Sequence, residues 1–78
     1  MDRAAVVTRE VLVRHGYEVV RVDVVRGEQV IYYRRGNRGH GKGRGPLEKL
    51  IIRPATEHPV FVSAPSAVLI DIRVRLGF

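Results

Sequence analysis

Residues 36–46 read GNRGHGKGRGP, and five of these eleven positions are glycine. Glycine inside a helix or strand costs roughly 0.5–1 kcal/mol of ordering entropy relative to alanine. At this density no regular element is expected, and the segment reads as a mobile loop that orders only against a partner. It divides the chain into two patterned stretches, and the fold has to come from them.

Both stretches belong to one small domain. A chain of 78 residues hides only about 60–65% of the surface it exposes when unfolded. It contains no cysteine, which removes disulfides and thiolate metal sites and with them zinc fingers, knuckles, ribbons and thiol nucleophiles. No apolar run approaches the roughly 20 residues of a membrane helix. Met1, Asp2 and Arg3 lack the basic-then-apolar order of a signal peptide. The expectation is a soluble, cytoplasmic protein with no membrane partner. One asparagine, one glutamine and one methionine give it a thermophile-like composition.

Before the loop, Ala4, Val7, Val11 and Leu12 recur at helical spacing over residues 3–15. Asp2 can cap the first turn, and Gly16 can take the left-handed position after His15. Several of these residues are β-branched, so a strand competes. Residues 17–35 read as a β-hairpin with Arg26-Gly27 at a two-residue turn. That register sets Val24 opposite Gln29, Val22 opposite Ile31, Val20 opposite Tyr33 and Val19 opposite Arg34. It implies a core face of Val20, Val22, Val24, Ile31 and Tyr33 and a wet face of Arg21, Tyr32 and Arg34. After the loop, residues 47–53 favour a strand over a helical turn begun by Pro46, and Pro59 to Ser63 a short strand. Ala67 to Leu76 alternates Val68, Ile70, Ile72, Val74 and Leu76 with Leu69, Asp71, Arg73 and Arg75, which predicts a half-buried strand. The expected fold is α+β, an N-terminal helix packed on a curled antiparallel sheet of four to five strands. An all-β small barrel is the alternative if residues 3–15 are extended.

Charge carries the functional reading. The chain has a net charge of +6, and twelve of its fourteen cations are arginine. A GC-rich genome would also inflate arginine, but it would not localise it. Residues 29–47 hold Arg34, Arg35, Arg38, Lys42 and Arg44 and no acid, whereas the other 59 residues hold nine cations and eight acids. Backbone N–H groups freed by glycine approach phosphate oxygens closely, and arginine adds bidentate attraction. A solvated basic loop without a ligand is the competing reading. The candidate nucleic-acid contacts are Arg21, Tyr32, Arg34, Arg35, Arg38, Lys42 and Arg44, with Tyr32 offering a surface on which a base can stack.

Other chemistries fit poorly. Gly36, Gly41 and Lys42 match a phosphate-binding G-x-x-x-x-G-K, but Gly43 stands where magnesium needs Ser or Thr, and Arg44-Gly45-Pro46 stands where a helix should begin. A metal-dependent nuclease would need acids converging beside a lysine; Asp23 and Glu28 fall on different faces, and Asp71-Ile72-Arg73 offers arginine, a poor proton acceptor. His15, His40 and His58 lie at a helix end, in the loop and in a turn, with no metal-ligand spacing. The sequence thus predicts a non-catalytic protein with no metal and no cofactor. Its expected partner is nucleic acid, RNA ahead of DNA because a flexible Arg/Gly loop suits irregular RNA. Small Arg-rich α+β domains occur among ribosome-associated and chromatin proteins, an analogy of size and charge that puts the ribosome among the candidates. The alternative is a protein-interaction module whose loop engages an acidic partner.

Overall fold

The computed structural model describes residues 2–36 and 44–78. The elements run α1 (Arg3–Arg14), β1 (Tyr17–Val25), β2 (Glu28–Arg35), β3 (Arg44–Arg53), β4 (Val60–Val62) and α2 (Ser66–Leu76). The strands form one antiparallel sheet in the order β1-β2-β3-β4. The fold is α+β with a helix from the N-terminal stretch packed on the sheet, as expected. The sheet does not close, so the barrel is set aside. Among the described residues no helix is long and apolar enough to cross a membrane.

α1 starts where Asp2 accepts a hydrogen bond from the Ala4 amide at 2.9 Å. The same carboxylate receives the Gln29 side-chain amide of β2, so the cap also ties the helix start to the sheet. Ala4, Ala5, Val7, Val11 and Leu12 are buried, and so is Thr8, whose hydroxyl donates to the Ala4 carbonyl at 2.7 Å. Gly16 ends the helix at φ +89°. Here the spacing of the apolar positions outweighs the modest helix penalty of β-branched residues.

The hairpin turns at Arg26 and Gly27, at φ +52° and +80°, the pair of positive angles that matches the twist of the flanking strands. The expected register holds from Val25 opposite Glu28 to Arg21 opposite Tyr32. Beyond it a β-bulge shifts β1, so that Val19 rather than Val20 faces Tyr33, and Glu18 rather than Val19 faces Arg34. Val20 is therefore not in the core, being 43% exposed, and Val24 near the turn is 72% exposed. The extra residue lets Tyr17 and Val19 pack against the core, with the Tyr17 and Tyr33 rings edge to face at 5.2 Å.

β3 begins at Arg44, three residues before the expected strand. Gly45, at φ +92°, lies where the β2–β3 register shifts between Tyr33 and Arg35. Residues 37–43 of the expected mobile loop lie outside the described residues. Gly36 has a packing role: its N–H donates to the Gly16 carbonyl at 2.8 Å, and a Cβ there would sit 2.7 Å from that oxygen.

The last element overturns the strand expected over residues 67–76. α2 is a helix, and only Val68 and Ile72 are buried on it. Ile70, expected in the core, is 64% exposed, and Val74 is 74% exposed. A strict alternation contains every fourth residue, so Val68, Ile72 and Leu76 satisfy a helical stripe as well as a strand face, and Ile70 and Val74 fall on the opposite side. Arg75 donates to Asp71 one turn earlier at 2.8 Å, and Gly77 closes the helix at φ +86° with its N–H on the Arg73 carbonyl. What decides is the sheet: its apolar face carries Ile31, Tyr33, Leu50 and Ile52, which cluster with both helices, and one helix cannot roof that face alone.

The helices also clasp each other. His15 Nε2 is 3.0 Å from the Asp71 carboxylate, and Arg3 donates to the Arg75 carbonyl at 3.2 Å. Arg75 first and His15 second hold the Asp71 carboxyl below its ordinary value near 3.8. Past α2, the Phe78 ring stacks on His58 at 4.1 Å.

Two outcomes are expected. Ile72→Ala should lower unfolding free energy in urea by about 2–5 kcal/mol, while Ile70→Ala should change it by less than about 1 kcal/mol; equal losses would contradict the helical assignment. Because the Asp71 value is depressed on folding, its stabilisation is complete above the ordinary carboxylate value and lost as pH falls through the lowered one. The stability gap between the wild type and Asp71→Asn should therefore be present at about pH 6 and shrink as pH falls below the ordinary carboxylate value.

Candidate nucleic-acid interface

Side chains on a strand alternate between faces, so the helices that cover Ile31, Tyr33, Leu50 and Ile52 leave the opposite face of the sheet uncovered. The ladder runs Arg21–Tyr32–Lys49 across β1, β2 and β3 on that open face. One row towards the hairpin turn lie Asp23, Val30, Ile51 and Val62, and one row towards the basic segment Glu18 faces Arg34.

The structure brings three of the expected contact residues together here. The Arg21 guanidinium lies over the Tyr32 ring, 4.4 Å from its centroid, and Tyr32 followed by Asp23 strengthens its hold on its proton. Arg34 shares the face. Arg35 points to the other face by alternation, is exposed, and pairs in the ladder with Arg44. Of Arg44 only this backbone position is described, and Arg38 and Lys42 lie outside the described residues.

Lys49 is the residue the sequence reading missed. It lies opposite Tyr32, is exposed, and carries no ion pair among the described residues. Its signal was the β2–β3 register, which cannot be counted across residues 36–46. The ion pairs were also unforeseen. Arg21 meets Asp23 at 3.2 Å, Arg34 meets Glu18 at 2.8 Å, and Arg53 meets Glu28 at 2.6 Å. Among the described residues, three of the four cations on the open face are thus partly neutralised in place, and Lys49 is the fourth. His15 and His58 stand apart, on Asp71 and Phe78. Among the described residues no group of three or more His, Asp or Glu could hold a metal ion.

A groove of about 910 Å³ runs between α1 and β1 on the helix side of the sheet, lined by Val6, Val13, Tyr17 and Val19 and by the charged Arg9, Glu10, Arg14, Glu18 and Arg75. No family model, no curated protein and no solved structure matches the chain.

Neighbouring tyrosines on opposite faces should respond differently to truncation. Tyr33 is almost fully buried, and burial, with Glu48 and Tyr17 adding, pushes its phenol above the ordinary range. Tyr33→Ala should cost about 3–5 kcal/mol by thermal or urea unfolding. Tyr32, half-buried on the open face, forfeits its contact with Arg21 and a smaller buried area, so Tyr32→Ala should cost clearly less, about 1–2 kcal/mol. Equal losses would contradict the face assignment.

Proposed function

We propose that this protein is a non-catalytic nucleic-acid-binding domain, with RNA favoured over DNA. The observation that carries the reading is where the charge lies. Residues 29–47 contain five cations and no acid, and β2 and β3 both lead into this segment at one end of the open face. Phosphate is the ligand such a segment suits: glycine leaves backbone N–H groups accessible, and arginine and lysine neutralise the backbone charge. The row of Arg21, Tyr32 and Lys49 adds an aromatic flanked by cations, on which an unpaired base can stack. An uncovered sheet face is a broad surface that suits splayed single-stranded RNA better than a duplex groove.

The test is fluorescence anisotropy with short single-stranded RNA, a matching duplex and single-stranded DNA, each across a salt series. Replacing Arg38, Lys42 and Arg44 together by Ala should weaken binding and reduce the log–log salt slope by about 0.7 per lost phosphate contact on single strands. Tyr32→Ala should weaken single-strand binding by about 1–3 kcal/mol with little change in slope. Unchanged affinity and slope in the triple variant, with copurification of an acidic protein after nuclease treatment, would overturn the proposal in favour of a protein-interaction module.

A further inference from the structure

We propose that β1 is the contact edge of a symmetric dimer, in which two copies of this chain pair their β1 strands antiparallel about Val22. The sheet order leaves β1 paired only with β2 among the described residues. Its free edge is nine residues long, against three for β4 at the opposite side. Edges of this length are normally blunted or covered, because their unpaired N–H and C=O groups form a template for another strand.

The chemistry of the edge selects the occupant. Residues 18–26 read Glu-Val-Val-Arg-Val-Asp-Val-Val-Arg; reversed, they give the same pattern with every charge inverted. A twofold axis through Val22 therefore sets Arg21 opposite Asp23 of the second copy and Val22 opposite itself. On the open face, Arg21 and Asp23 are already 3.2 Å apart within one strand, so two copies would form a ring of four alternating charges. Val24, 72% exposed, would be partly covered at either end of the contact. The bulge between Val19 and Arg21 leaves Val20 as the extra residue and confines the regular part of β1 to Arg21–Val25, so the symmetric contact is centred on Arg21, Val22 and Asp23.

Competing registers are penalised. Shifting the axis to Arg21 or Asp23 sets like charges directly opposite, which is destabilising. A shift that places the axis between residues opposes an outward side chain to an inward one, which antiparallel pairing forbids. The contact uses the same patch on both copies and is closed, so it ends at two.

The inference is independent of nucleic-acid binding and is tested on nuclease-treated protein by sedimentation velocity over a concentration series. The wild type should show a monomer–dimer equilibrium. Arg21→Asp and Asp23→Arg, each folded by circular dichroism, should each weaken dimerisation by on the order of tenfold or more. An equimolar mixture of the two variants should recover the dimer, because each altered position then meets the opposite charge. A wild type that stays monomeric to near-millimolar concentration, single variants that associate as well as the wild type, or a mixture that associates no better than either variant alone would overturn it.

Discussion

Ile31 and Tyr33 of β2 and Leu50 and Ile52 of β3 form an apolar face that water disfavours by about 25 cal/mol for every Å² left exposed, and its burial organises the rest of the molecule. α1 supplies Val7, Val11 and Leu12, and α2 supplies Val68 and Ile72. Both helices lie on the side to which these four residues point. The clasp of His15, Asp71 and Arg75 sits where the two helices meet over that core. The uncovered side of the sheet is the complement of the same choice. Tyr32 and Lys49 are presented outward because their neighbours Tyr33 and Leu50 are drawn inward.

The parts of this architecture that could be read from sequence are those whose signals were local. Asp2, Gly16 and the Arg26-Gly27 turn act over a few residues, so α1 and the hairpin were legible to within a bulge. That bulge depends on Tyr17 and Val19 reaching Tyr33, a contact no alternation pattern encodes, and so Val20 and Val24 were misplaced. α2 was misread for a related reason. Its residues satisfy two periods at once, its start has no capping side chain, and the deciding demand, the second half of a roof, comes from strands far away in the sequence. For the candidate site, the common face of Arg21, Tyr32 and Arg34 followed from strand parity. Lys49 did not, because its register is measured across the glycine-rich segment. The pairing of Glu18 with Arg34 was hidden by the same bulge that displaced Val20.

Glycine proves to have distinct physical roles along the segment that first divides the chain. Gly36 is demanded by a neighbour, the Gly16 carbonyl, which leaves no space for a Cβ. Gly45 is demanded by its own backbone angle at the entry to β3. These two positions bracket the basic residues and hold their flanks to the corner where α1 hands over to β1 and to the end of the sheet. A substitution at either would act on the framework first and on any bound anion second.

The clasp between the helices has a further consequence, for the order of assembly. The three strand pairings join neighbours in the chain, and such ladders close short loops that form within about microseconds. The contacts of Arg3 with Arg75 and of His15 with Asp71 join residues 72 and 56 positions apart, and loop closure over that span is entropically dearer. A meander therefore has every reason to form before its roof does. During that interval the inner face of β2 and β3 is open to solvent beside an unprotected β1 edge, and it is then, rather than in the finished fold, that the chain is most exposed to unproductive association.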